Sequence, residues 1–299
     1  MKIDCIYIAC YRGDVHRVCP LVASIRRRYP EVPVMLIKDL LAGPFSTREI
    51  EEMWGVSVLK TEMTRFGWAW AKLEPLFLAE KQRCLVLDAD ILFVGPVLGV
   101  LEPHNEDFVV SPEETGEPGS AFIKRNYYDY EALRALDPNF EYPGFTFNAG
   151  QFVATSGLIK REDFASLVDW NCSPPRLVRP DIFACADQGV LNYMLAKKAQ
   201  ESRITLGKAK FMVWSGQKEA QGLELKRITH GDGYPFLPHW AGLNHPYSFR
   251  KMVLGELLLR YEAEYYSKIH SATLKRLGRH VRLRWWRNGR RLKEKLGWH

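Results

Sequence analysis

Two carboxylates stand one residue apart inside an apolar run. The stretch Arg83-Cys84-Leu85-Val86-Leu87-Asp88-Ala89-Asp90-Ile91-Leu92-Phe93-Val94 reads as a buried strand that stops at the acids and then turns apolar again. Acids so placed destabilise the fold unless something pairs with them. In parallel α/β sheets, ligands sit at the carboxyl ends of strands. A divalent cation held by Asp88 and Asp90 accounts for the pattern, and Mn2+ or Mg2+ suits oxygen donors that also receive phosphate. The plainer account is a solvated acid pair at a loop start, against which the apolar flanks weigh. A phosphatase with a similar acid pair would carry it near the N-terminus, whereas three expected strands come first here.

Four other segments carry polar groups in unusual places. Thr146–Phe152 sets Asn148 and Gly150 inside a strand pattern, and a strand glycine often marks close approach of backbone or ligand. Ala186–Asn192 puts Asp187 and Gln188 at a helix start, where Asp187 also suits an N-cap. Pro238–Tyr247 places His239 in a tight loop, though a lone histidine is more often structural. Lys72 lies sixteen residues before Asp88, on an expected helix leading to the acid-bearing strand. Alone, it would read as a solvated surface cation.

The elements that must position these residues alternate. Strands are expected over Ile3–Ala9, Val34–Ile37, Val56–Leu59 and Cys84–Leu87. Helices are expected over Val18–Tyr29, Thr47–Trp54 and Trp68–Glu80. This order argues for an α/β fold with a mostly parallel, Rossmann-like central sheet and helices on both faces. Residues 111–145 are rich in Pro and Gly, with a helix around Tyr127–Leu136. A strand over Thr146–Thr155 follows, then helices over Arg161–Trp170 and Gln188–Lys197, loops over Gly216–Gly242, and a helix near Glu256–His270.

Charge is uneven. Residues 275–299 hold ten Lys or Arg against Glu294, a net of +9, so residues 1–274 carry −2 of the chain's +7. On a helical wheel, Leu274, Leu277, Val281, Trp285, Leu292 and Leu296 share one stripe flanked by the cations. This pattern suits an amphipathic helix on an anionic membrane surface. The competing placements are a helix packed on the protein's own body and a nucleic-acid arm, and no nucleic-acid-binding fold accompanies the charge. No apolar run reaches the roughly 18 residues of a membrane span. The start reads as a core strand rather than a signal peptide. The six scattered cysteines form no CxxC pair and read as reduced thiols of a cytoplasmic protein.

In order and spacing, five segments resemble the retaining glycosyltransferases related to glycogenin and to the bacterial lipopolysaccharide galactosyl- and glucosyltransferases. They are Ala71-Lys72-Leu73, Asp88-Ala89-Asp90, Phe147-Asn148-Ala149-Gly150, Asp187-Gln188-Gly189-Val190-Leu191-Asn192 and His239-Trp240-Ala241-Gly242 followed by Pro246. The resemblance covers roughly residues 1–250 and implies the GT-A fold over them, with residues 251–299 as a C-terminal helical region ending in the basic tail. It implies that Asp88, Asp90 and His239 ligate Mn2+, or Mg2+, beneath the diphosphate of a nucleotide-sugar, with a UDP-sugar as the expected donor. It further implies that Ile8, Ala9, Cys10, Tyr11, Lys72, Ala89, Asn148, Ala149, Gly242 and His245 line the donor site. Asp187, Gln188, Lys72 and His245 would carry the catalytic roles, and a saccharide or lipid-linked acceptor would receive the hexose.

Two departures stand out. The polar run that usually ends the first strand is replaced by Ala9-Cys10-Tyr11, which leaves the base open. Six residues after the presumed metal histidine the family carries Lys, and here that position is His245. The other classes consistent with the residues are a sugar nucleotidyltransferase and a non-catalytic nucleotide-sugar-binding module. The first needs a Gly-rich, Arg-containing loop of which only Arg12-Gly13 is present, and the second has no need of three ligands. The expected location is the cytoplasm, with the tail resting on the inner face of a membrane.

Overall fold

The computed structural model describes residues 1–67, 69–113, 116–242, 248–269 and 273–278, with Val281, Trp285 and Asn288. β1 (Cys5–Tyr11), α1 (Val15–Arg28), β2 (Val34–Asp39), α2 (Arg48–Trp54) and β3 (Ser57–Val58) open the chain. A 3-10 helix over Trp70–Phe77 leads into β4 (Arg83–Leu87), then α3 (Val97–Leu101) and β5 (Phe108–Glu113). α4 (Ala121–Asn126), α5 (Tyr130–Leu136), β6 (Thr146–Thr155) and the short β7 (Val168–Asp169) and β8 (Arg176–Leu177) follow. The remaining elements are α6 (Asp187–Gln200), β9 (Leu206–Lys208), β10 (Met212–Trp214), α7 (Lys218–Gln221), α8 (Leu225–His230), β11 (Leu237–His239) and α9 (Gly255–Ser267).

The main sheet runs β3-β2-β1-β4-β6-β5-β9. β6 is antiparallel to both β4 and β5, and the other neighbours are parallel. Both faces are covered, as a parallel sheet requires. Alternation along β1 sends Ile6, Ile8 and Cys10 to one core layer and Cys5, Tyr7 and Ala9 to the other. β4 does the same with Leu85 and Leu87 against Cys84 and Val86. The first layer is closed by α1 and by α9, which contributes Leu257, Leu258, Tyr261 and Tyr265. The second is closed by the 3-10 helix and α6.

Several expectations need correction. The segment expected as a helix over Trp68–Glu80 is 3-10 over Trp70–Phe77, because Pro75 lies inside it and supplies no N–H for an α-helical ladder. The expected helix over Arg161–Trp170 is a single 3-10 turn, Arg161–Phe164, followed by the β7–β8 ribbon. There Arg161 lies over the rings of Phe77 and Trp170, 4.7 Å from each centroid, so tertiary contacts override the helical spacing. The helix expected around Tyr127–Leu136 is α5, Tyr130–Leu136, capped by Asp129, and a second short helix not expected there, α4, precedes it with Ser120 as its cap. β5 starts ahead of the segment over 111–145 expected to be irregular and runs into it, no strand was expected where β9 lies, and β11, α7 and α8 lie within the loops expected over Gly216–Gly242.

Candidate metal and donor site

β4 delivers the acids. Its last residue, Leu87, pairs with Ile8 of β1 on one side and Gln151 of β6 on the other. Asp88 comes next and donates its N–H to the Gly150 carbonyl at 2.7 Å. The chain then turns through Ala89 and Asp90, and Ile91 forms an antiparallel bridge with His239. Trp240 donates its N–H to the Asp90 carbonyl at 3.0 Å, and Leu92 donates to the Pro238 carbonyl at 3.3 Å. β11 is thus sewn to the segment bearing Asp90, while β10 pairs with it on the other side, Trp214 opposite His239. Backbone hydrogen bonds therefore bring in an imidazole that lies 149 positions from Asp90.

Nε2 of His239 lies 3.2 Å from Asp90 Oδ1 and 3.8 Å from Asp88 Oδ2. One donor atom from each of the three residues lies within 4.8 Å of the others, and His239 is fully buried. Gly150 leaves the room for this. A Cβ there would run into His239 Cε1 and stand 2.6 Å from Asp88 Oδ2 and 2.7 Å from Asn148 Oδ1. Two carboxylates and an imidazole so close fit a divalent cation that accepts oxygen and nitrogen donors.

Lys72 joins this cluster to α6. It is 5% exposed, with Nζ 3.0 Å from Asp88 Oδ1 and 2.8 Å from Asp187 Oδ2. Burial opposes its charge, yet Asp187 and Asp88 together outweigh that and hold its pKa above the usual lysine value. Burial pushes Asp187 up to about 6; the Lys72 ammonium pulls it down and the Asp88 charge adds to the rise. At neutral pH the arrangement is an ammonium clamped between two carboxylates.

The turn that aims Asp187 is strained. Cys185 and Ala186 have φ of 52° and 46°, left-handed values that favour glycine. Two residues after Asp187, a Cβ at Gly189 would strike the Tyr127 carbonyl, so α6 starts in close contact with the end of α4. Gln188 is held at both ends of its amide: Oε1 accepts from Asn148 Nδ2 at 2.8 Å and Nε2 donates to the Asn126 carbonyl at 2.9 Å. Asn148 Oδ1 accepts the Gly150 N–H at 2.9 Å.

Lys72, Asp88, Asp90, Asn148, Asp187, Gln188 and His239 are thus brought together. Ala89 and Ala149 are buried next to them. Ile8, Ala9 and Cys10 lie buried at the carboxyl end of β1, with Tyr11 half-buried; none of these side chains is a carboxylate or an amide. Gly242 follows β11 with φ of +69°, a turn that glycine makes without strain. His245 lies outside the described residues. Sequence reasoning gave no role to Asn192, which brackets Phe147 by accepting its N–H at 2.9 Å and donating to its carbonyl at 2.8 Å, fixing β6 to α6. The i, i+4 spacing from Gln188 to Asn192 was the available signal. Glu113, Tyr127 and Trp214 were missed as well.

Neither protein-family models nor curated protein sequences match the chain. Solved structures do. The bifunctional glycosyltransferase WbbM superposes with a TM-score of 0.56 at 14% identity over 89% of this chain, which spans 52% of the WbbM chain. The galactosyltransferase LgtC, solved in complex with donor and acceptor sugar analogs, gives 0.56 at 13% identity over 88% of this chain and 95% of its own. The apo glycosyltransferase GlyE of Streptococcus pneumoniae TIGR4 gives 0.50 at 13% identity, covering 97% of this chain and 64% of that one. The fold is therefore GT-A, with the mostly parallel seven-stranded sheet expected of it.

Proposed function

We propose that the chain is a metal-dependent, retaining glycosyltransferase that moves a hexose from a nucleoside-diphosphate sugar to a saccharide or lipid-linked acceptor. The convergence of Asp88, Asp90 and His239 at the carboxyl end of β4, in a GT-A fold, carries this reading. Bound there, Mn2+ or Mg2+ supplies positive charge where the diphosphate leaves. Lys72 adds a second, permanent cation beside it and keeps the Asp187 carboxylate in place. Asn148 and Gln188 present a fixed amide pair toward the transferred sugar. Between Asp187 and Gln188, Asp187 is the stronger candidate for the group that stabilises or captures the sugar cation, because the Gln188 amide is already engaged at both ends.

Residues 1–250 carry this chemistry, and residues 251–299 supply α9 and the basic tail. The end of β1, from Ile8 to Tyr11, holds the nucleoside, and Tyr11 offers a ring for the base; uridine is the first base to test. His245 in its protonated form assists the leaving diphosphate. Replacing it with Lys should extend activity above roughly pH 7.5, where an imidazole whose pKa the neighbouring phosphate raises would lose its charge; identical alkaline limbs would rule that role out.

Among the described residues no helix is long and apolar enough to cross a membrane. Peripheral attachment from the cytoplasmic side is supported by the tail. Leu274, Leu277, Val281 and Trp285 are 74%, 62%, 60% and 81% exposed, one apolar stripe that the body leaves uncovered.

Isothermal titration of UDP, GDP and ADP with and without Mn2+ tests the reading. Binding of one nucleotide that strengthens with Mn2+, followed by slow Mn2+-dependent hydrolysis of its sugar conjugates, is the expected result. Binding indifferent to metal, or no binding, overturns it.

A further inference from the structure

The His239 ring has no hydrogen-bond partner at Nδ1 among the described residues. In metal sites that nitrogen usually donates to a carbonyl, carboxylate or water, and the bond sets the ring's orientation. A different contact holds this ring. Trp214 stacks on it, with centroids 5.5 Å apart and planes 9° from parallel. The indole is itself fixed, because Nε1 donates to Glu113 Oε1 at 2.9 Å. The other oxygen, Glu113 Oε2, accepts from the Tyr127 hydroxyl at 2.6 Å. Tyr127 follows α4 as its C-cap, and its carbonyl accepts the Ala184 N–H at 2.8 Å, just before the strained turn that aims Asp187. One carboxylate at the end of β5 therefore ties β10 to α4, with His239 beyond one partner and the Asp187 turn beyond the other.

Resting on the metal reading above, we infer that Glu113 is a positioning residue. It fixes Trp214 as a flat backstop that presets His239 Nε2 toward Asp88 and Asp90 before any cation binds. This role needs no contact with substrate. It depends on an acceptor for the indole N–H and not on negative charge. Glutamine should therefore replace Glu113, and an apolar side chain should not.

The test uses the whole chain with Glu113→Leu, Glu113→Gln, Trp214→Leu and Trp214→Phe. In metal-free, histidine-labelled protein, the Cε1 proton of His239 should show a ring-current shift in wild type and Glu113→Gln. The shift should vanish in Trp214→Leu and be reduced in Glu113→Leu. Mn2+ affinity, read from free Mn2+ by electron paramagnetic resonance, should fall about 10- to 100-fold in both leucine variants and stay within about 3-fold in Glu113→Gln. Trp214→Phe keeps a stacking ring, removes the donor to Glu113 and threatens the fold least; its affinity should fall between these. Wild-type ring shift and affinity in Glu113→Leu, or in Trp214→Phe should the first fail to fold, overturn the inference. A wild-type chain that takes up no Mn2+ overturns the metal reading instead, and the metal-free ring shift still decides the positioning role.

Discussion

A methyl group at position 150 would occupy space now shared by the His239 ring, the Asp88 carboxylate and the Asn148 amide. Gly150→Ala should therefore weaken Mn2+-dependent nucleotide binding by about 100-fold, roughly 2.7 kcal/mol, and lower stability by about 1–3 kcal/mol; unchanged titrations would contradict the crowding argument. Asp88→Asn or Asp90→Asn should lower turnover by about 1,000-fold, roughly 4 kcal/mol, and near-normal metal-dependent rates in either would refute the ligand assignment. Asp187 gives a pH signature. Its carboxyl is raised to about 6 in the folded chain, above the ordinary 3.8. The stability it contributes is thus complete below about pH 4 and is lost as pH rises through 6. Metal-free melting curves of Asp187→Asn should lack that part of the decline, and equal slopes between pH 4 and 6.5 in both proteins would count against it. The acid pair was legible because apolar residues flank it on both sides. Glu113, Trp214 and Tyr127 were not, because their partners belong to elements far apart in the chain, and nothing in the local pattern marks them.

Among the elements, β1, β2 and β4, with α1 and α2, were readable from periodicity, since strands buried on both faces show as unbroken apolar runs. The elements that complete the site were not. β9, β10 and β11 have three residues each, too few for a period to show, and β5 carries a register shift between Val110 and Pro112. They exist because neighbouring strands offer them unpaired hydrogen-bonding groups. The turn before α6 is a test at this scale. Ala186 holds a left-handed backbone, so Ala186→Gly should stabilise the chain by about 1 kcal/mol, raising the melting temperature by roughly 2–4 °C. The same change should lower kcat by loosening Asp187. A lower melting temperature would show that the turn is not strained.

In the molecule as a whole, the start of the tail is tied down while Leu274, Leu277, Val281 and Trp285, the described part of its apolar stripe, are exposed. Lys275 pairs with Glu49 of α2 at 3.3 Å, and Arg276 pairs with Glu262 of α9. Full-length protein should float with anionic liposomes and release as salt rises, and a chain ending at residue 272 should stay behind; equal recovery of the two would remove the membrane proposal. Composition located the charge, but not where the helix attaches. The bridge between Ile91 and His239 has a further consequence, in the chain's birth order. A ribosome has already threaded the four strands β1 to β4, with both acids, before it reaches the imidazole. Every incomplete chain of 90 to 238 residues thus carries the acid pair without its third donor. The nascent protein should take up nucleotide only once synthesis has passed β11, which makes metal-dependent donor capture a report that nearly the whole sheet is in place.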